Sequence, residues 1–452
     1  ALEAFRNAGC EMNYGETCNI LLWCLFDHLP LASTLKEKQN LAREGIKLGD
    51  QAISCLSKLG NKSELLQAYF LASLINWYSS QLNVQEEKRK EIENRCLRYS
   101  EKATELAKEV DNPYYTALSR STASLCTLYF TEKIESALES AQEMLQQGSI
   151  VRDNYLKGVA LYLLAQAMDS KIVEEADPSK KREGYEKIIE YSQDSIGYLQ
   201  LVSKDTTIAD TYMFYTESYS SLAREVEVDA EKKHALLEKA VETGRKGLEH
   251  ANRSGSPDAL GSALHALSKA LLFYSNLERE KDEKIKLQKE ALAFRKEYIK
   301  NMEEAFPFNY WVLGLGKNYA ALIEAELSRS EIDRDKKTAF LEKAVLDMED
   351  AISYCIKWAS QQWQMVVVAG FEDTLGALLN ELYLLTNDGE NLTRAIEVHQ
   401  NAAEKFKKAN FPSRAAESYW KIASIQDHLG EHQKATKNFE NAFAEYKAAS
   451  RR

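Results

Sequence analysis

The sequence predicts an all-α protein, an array of about nine stacked helix hairpins, and three observations carry that expectation. Breakers are scarce. The 452 residues include only 19 Gly and 6 Pro, well below the usual shares of about 7% and 5%. Between them the chain is rich in Ala, Leu, Glu, Lys and Gln, which lose little freedom in a helix. Apolar residues recur at spacings of three and four, as in Phe340, Ala344, Met348 and Ala351, which places them on one helical stripe. Period-two alternation is nearly absent; Met365 to Val368 comes nearest and is too short against its helical flanks.

The prolines set the phase of the array. Pro113, Pro257, Pro307 and Pro412 each stand just before an apolar helical stretch, the place in a helix where proline is tolerated. Comparable starts fall near Lys62, Asp153, Asp205 and Gln361. Starts therefore recur roughly every 50 residues, a period typical of helical-hairpin arrays. Each unit joins an aromatic first helix, such as 63–82 or 258–277, to a long charged amphipathic one, such as 86–110, 231–251 or 336–359. The expected hairpins are 13–59, 63–110, 113–148, 153–203, 206–253, 257–304, 308–359, 361–409 and 412–449. A helix pair cannot bury its apolar faces alone, so stacking on neighbours is required. No Gly/Ser/Pro-rich linker interrupts the array, and a single domain over 1–452 is expected, with 174–181 as a long turn in the fourth hairpin. Ala1 to Gly9 reads as the end of an earlier helix, and the chain stops inside helical sequence; a segment excised from a longer protein is the expectation.

Net charge is −11, with basic residues well mixed among the acids, which disfavours non-specific nucleic-acid binding. The apolar run Ile20 to Phe26 is far shorter than the roughly 20 residues that span a bilayer, and no secretory signal is visible. Seven cysteines are scattered without a CxxC pair, which suits a reduced, cytoplasmic setting. A protein or peptide partner is therefore expected, with no nucleic acid, no membrane and no cofactor, and with any oligomer formed through other domains of a full-length chain.

The last unit carries a recognisable signature. Tyr419, Ile422, Ala423, Leu429, Gly430, Ala435, Phe439 and Ala442 resemble a tetratricopeptide repeat (TPR). Small residues sit where helices cross closely, glycine where the turn is tight, and rings between neighbours. Ala395 and Ala402 repeat part of the pattern, and Leu237, Ala240 and Gly244 are similar in outline. The resemblance is specific over roughly the last 40 to 80 residues and architectural elsewhere, since the family unit is about 34 residues. It implies a right-handed superhelix whose first helices line a concave, usually non-catalytic binding groove. The array also resembles, in architecture alone, the sensor regions of signal-transduction ATPases.

No catalytic constellation emerges. Gly314, Gly316 and Lys317 superficially resemble a phosphate loop, but Asn318 replaces the required hydroxyl residue and no strand precedes them; two close-packing glycines in a helix are the plainer reading. His428 and His432 are separated by Gly430, so one helix does not present both to a metal. Cys18 and Cys24 lie in an apolar helix and are expected as buried thiols. His28 shares a face with Cys24, but no third group is evident to orient it. The aromatics are the informative remainder, 23 Tyr and 6 Trp concentrated in first helices. Some pack between repeats, and others line the groove as amphipathic anchors. Tyr215, Tyr310 and Trp311 are candidates of this kind. Aligning Pro257 with Pro412 puts Leu264 in the packing role of Tyr419 and turns His265 and Lys269 to the groove, as it does Trp420, Asp427 and His428. The expected function is a non-catalytic sensor or recognition module of a larger signalling protein, with a constitutive assembly scaffold as the alternative.

Overall fold

In the computed structural model, residues 2–82, 85–131, 133–173, 175–359 and 362–450 are described. They form nineteen α-helices and no strand among the described residues. Gln361, named above as a helix start, and Glu174, in the long turn, lie outside them. Contacts gather the chain into two compact units: residues 1–274 with 304–308, and residues 275–303 with 309–452.

The first unit opens with α1 (Leu2–Asn7) and then runs through five hairpins. They are α2 (Glu11–His28) with α3 (Leu35–Leu59), α4 (Lys62–Gln81) with α5 (Glu86–Val110), and α6 (Pro113–Phe130) with α7 (Ile134–Ile150). They continue with α8 (Asn154–Ile172) and α9 (Pro178–Gln200), then α10 (Asp205–Ser221) and α11 (Ala230–Ser254), and α12 (Pro257–Ser275) follows. The second unit holds most of α13 (Lys281–Ala305). It continues with α14 (Tyr310–Ser330) and α15 (Arg334–Trp358), α16 (Gln362–Thr386) and α17 (Gly389–Lys408), and α18 (Pro412–His428) and α19 (His432–Ala449).

Local chemistry explains where the helices begin. Thr34 caps α3 in a reciprocal box with Glu37, and the side chains of Asn61, Asp153, Asp229 and Asp333 accept the first amides of α4, α8, α11 and α15. Such caps satisfy amides that have no partner inside the helix. Pro113, Pro257 and Pro412 each open a helix. Pro307 does not: α14 starts at Tyr310, because the Asn309 carboxamide oxygen accepts from the Val312 amide and caps it there. The turn at Gly430 has φ 76°, a left-handed conformation that glycine adopts without steric cost.

The core alternates small and large residues between paired helices. In the first unit, Ala52, Leu56, Ala68, Leu71, Ile75, Ala160 and Leu164 are fully or almost fully buried. In the second, Ala344, Met348, Ala351, Leu379, Ala423, Ala435 and Ala442 are. A Cβ on Gly314 would meet Cys355 Sγ at 2.7 Å. That glycine therefore serves close packing inside α14, and Lys317 pairs with Asp347 and Asp350 at 3.0 Å each. Cys24 departs from expectation. Cys18 is buried, but Cys24 is exposed, because α2 is apolar nearly all round and only one stripe can face its partners; Ile20 is likewise 63% exposed.

Candidate functional site

The first helices of the first unit share one cleft. Residues of α2, α4, α6, α8, α10 and α12 surround a cavity of about 760 Å³. Its walls are aromatic and aliphatic, with Trp23, Trp77, Tyr78, Tyr129, Tyr155 and Tyr162 among them. The rings hold one another edge to face: Trp77 and Tyr129 have centroids 5.6 Å apart, and Tyr162 and Phe214 5.8 Å apart. Tyr129 shows 45% of its surface, yet burial of its phenol pushes the pKa up to about 12; the ring faces the hollow of a concave wall. Rings with a polar tip are suited to such a surface.

A buried ionic cluster closes one side of the cleft. Lys38, fully buried on α3, donates to Asp258 Oδ1 at 2.6 Å, to Tyr78 OH at 2.9 Å and to the Leu29 carbonyl at 3.4 Å. Tyr78 donates to Asp258 Oδ2 at 2.5 Å, and the Lys38 ammonium lies 4.9 Å from the Phe306 ring centroid. Ser256 adds a bond to the Pro30 carbonyl at 3.0 Å. The start of α12 is thereby fastened to the first hairpin across more than two hundred residues of chain. Burial pulls the Lys38 pKa down, opposed by Asp258, and pushes Asp258 up, opposed by Lys38. Each charge depends on the other.

The cleft's other charges differ in how well they are met. At one rim Lys204 pairs with Asp27 at 4.0 Å and Arg253 with Asp205 at 3.4 Å. Asp210, on α10, has no ion-pair partner among the described residues; burial and then the Asp258 charge push its carboxyl up to about 7, with only the Ser262 hydroxyl in opposition. Gln166 is 8% exposed and donates to Tyr129 OH at 2.6 Å, while its carbonyl oxygen has no partner. Sequence reasoning named neither residue.

The named candidates fall in several places. His265 and Lys269 converge on Glu217 of α10, at 3.4 and 3.2 Å. They stand on the stripe of α12 that carries Asp258 and Ser262, both in the cleft wall. Burial pushes Glu217 up, but Lys269 and His265 outweigh it and hold the carboxyl well below the usual range. Tyr215 packs between Tyr212 and Tyr219, at 6.2 and 5.2 Å. In the second unit Tyr310 stacks on Tyr354 at 6.3 Å, and Trp311 lies against Trp358 at 4.5 Å. Trp420 is 54% exposed, with Phe439 at 4.8 Å. Asp427 accepts from exposed His432 at 2.9 Å, and His428 meets the Tyr383 ring at 6.4 Å. Among the described residues no His, Cys, Asp and Glu group is arranged to hold a metal, and no helix is long and apolar enough to cross a membrane.

Residues 374–452 match the family described as SNAP, soluble NSF attachment protein. The match is confined to that C-terminal stretch; over the whole chain, the consecutive pairing of helices makes an array of helix hairpins. No curated protein matches in sequence. Among solved structures, a Rap protein complexed with competence and sporulation factor is 13% identical over 97% of this chain and 100% of its own, with TM-score 0.49. A signal-transduction ATPase with a tetratricopeptide-repeat sensor from Pyrococcus horikoshii is 16% identical over 89% of this chain and 52% of its own, with TM-score 0.49. Aspartyl phosphate phosphatase F from Bacillus subtilis is 12% identical over 96% of this chain and 93% of its own, with TM-score 0.39.

Proposed function

We propose that this chain is a non-catalytic recognition module that holds a peptide or an extended protein segment in the cleft of its first unit, in the manner of the sensor modules of larger signalling proteins. One observation carries the reading: a cavity of about 760 Å³ walled by six successive first helices, five of which supply aromatic rings. Concave, largely apolar sites with a few placed polar groups are where ligands bind. Polar groups of the wall would fix the ligand's register, and His265 and Lys269 would extend the same surface. In the second unit, exposed Trp420, with Asp427 and His428, is proposed as a separate protein-contact surface, with Tyr310 and Trp311 behind it, and in the first unit Tyr215 is proposed to back the cleft's surface.

The experiment is to pan a displayed random-peptide library on the full chain and to repeat it on Val159→Trp, which fills the cleft. Enrichment on the parent, lost on the filled variant, is the expected result. Peptides that bind both alike would sink the reading. A constitutive scaffold is the alternative, and hydrogen exchange separates the two. A sensor changes protection in α3 and α12, where the Lys38 cluster fastens the cleft, whereas a scaffold's protection changes only at contacted residues.

A further inference from the structure

The polar inventory of the cleft is asymmetric. The cations in its wall are engaged: Lys204 with Asp27 and Arg253 with Asp205. Lys38, behind the wall, is engaged with Asp258. The carboxylate of Asp210 has no such partner among the described residues. A second, independent observation lies in the same wall. Gln166, in the cavity wall, is 92% buried; one end of its amide bonds Tyr129, and its carbonyl oxygen has no partner. With Nε2 donating to Tyr129 OH, the unmet end is the carbonyl oxygen, which can only accept. Buried polar groups are usually satisfied, and those that are not call for an explanation. Tyr129 links the two, since it bonds Gln166 and its phenol feels the Asp210 charge. Tyr162 feels the same charge, and Trp77 packs on Tyr129.

We propose that the cleft contains a subsite for an organic cation, an ammonium or guanidinium carried by the bound peptide, whose N–H groups are received by Asp210 and the Gln166 carbonyl between the rings of Trp77, Tyr129 and Tyr162. This rests on the cleft being the peptide site. Carboxylate, amide oxygen and ring faces share a preference for a positively charged, partly desolvated nitrogen. An anion would meet the uncompensated negative charge of Asp210, and aromatic walls suit an organic cation better than a hydrated metal ion.

The site is also proton-linked. The titratable and charged groups facing Asp210 are Asp258 on α12, itself bound to Lys38 of α3, together with Tyr78 on α4, Tyr129 on α6 and Tyr162 on α8. The tyrosines stay protonated throughout the neutral range, since burial raises all three. Asp210, pushed up to about 7 by burial, binds a proton that the incoming cation must displace. Affinity therefore rises from pH 6 to pH 8.

Peptides selected by panning on the full chain test this. The expected result is one Lys or Arg at a fixed position among large apolar residues. Replacing it by norleucine or citrulline should weaken binding by about tenfold or more, and Asp210→Asn should abolish that tenfold difference and flatten the pH profile. Gln166→Leu, which keeps the cleft's volume, should lose part of the preference and serves if Asp210→Asn fails to fold. N-terminal acetylation separates the sources: if it, and not side-chain replacement, weakens binding, the cation is the peptide's amino terminus and the subsite stands. Peptides excluded by Val159→Trp but showing no preference for either cation overturn the subsite and leave the cleft reading intact. Peptides indifferent to Val159→Trp, or no enrichment at all, overturn both.

Discussion

Two aspartates on first helices meet opposite fates. Asp373, on α16 of the second unit, is saturated: His399 donates at 2.9 Å, Ser418 at 3.0 Å and Lys421 at 2.6 Å. Burial pushes its carboxyl up, yet His399 and Lys421 outweigh it and hold the pKa at about 2. Asp210, on α10 of the first unit, has Ser262 and, among the described residues, no cation, and burial with the Asp258 charge pushes it up to about 7. Both sit among packed helices, so burial alone does not separate them; the number of donors does. The saturated carboxylate ties α16, α17 and α18 together. The unsatisfied one costs stability and faces a cavity, the usual sign of a group kept for something outside the fold.

The largest test of this contrast turns a satisfied centre into an unsatisfied one. Lys38→Met leaves Asp258 without its cation and beside Asp210, and the expected loss is about 3 kcal/mol in urea unfolding. The double variant Lys38→Met/Asp258→Asn should regain most of it. A single variant as stable as the parent would mean that the cluster does not hold the cleft closed. Asp373→Asn is the matching change in the second unit. It leaves His399 and Lys421 short of their acceptor and should cost about 2 kcal/mol at pH 7. The sign of its pH dependence follows from a depressed carboxylate. The contribution is present above the unfolded value of 3.8 and disappears as pH falls through about 2, so parent and variant should converge in acid. A difference as large at pH 2 as at pH 7 would remove Asp373 from the account.

The array was largely legible in the sequence because its signals are local. Proline at helix starts, capping aspartates and apolar spacings of three and four all act within a turn or two. Thus 86–110 was bounded from charge pattern alone, and α5 runs Glu86–Val110. Pro307 misled because the capping residue, Asn309, stands two positions further on. The cleft was less legible because its parts are far apart in the chain. Lys38 and Asp258 are 220 positions apart, and no periodicity links them. Asp210 is one acid among 69 Asp and Glu, and its character comes from burial and from the charge of Asp258 on another helix. Aligning Pro257 with Pro412 named His265 and Lys269, which pair with Glu217, but it named no residue that lines the cleft. The signal that could have found Gln166 and Asp210 is the crowding of aromatics into consecutive first helices, followed by a search for polar residues on the same stripes.

A third test inverts the usual sign. Asp210→Asn should stabilise the chain. The folded carboxyl titrates near 7 against 3.8 unfolded, so the folded state binds the extra proton and the parent loses stability as pH climbs through that window. The variant loses none, and at pH 8 it should be the more stable by about 2 kcal/mol, reduced from the full linkage by solvent in the cleft. At pH 4 the two should melt together. A destabilised variant at pH 8 would mean that Asp210 is already satisfied, and the contrast with Asp373 would fail.

The smallest effect is expected at Trp420, and it asks whether the two units divide their labour. The ring is 54% exposed and touches Phe439 edge to face at 4.8 Å, an arrangement worth about 1 kcal/mol. Trp420→Ala should therefore lower stability by no more than that, with Phe439→Ala removing the same contact and the double variant adding little. Affinity for peptides selected on the first unit's cleft should be unchanged, because the residues lining that cleft all belong to the first unit. A tenfold fall in peptide affinity with stability intact would make Trp420 part of the same recognition surface. The second unit would then be more than a saturated framework, and the contrast between the two aspartates would describe two carboxyl groups without distinguishing two roles.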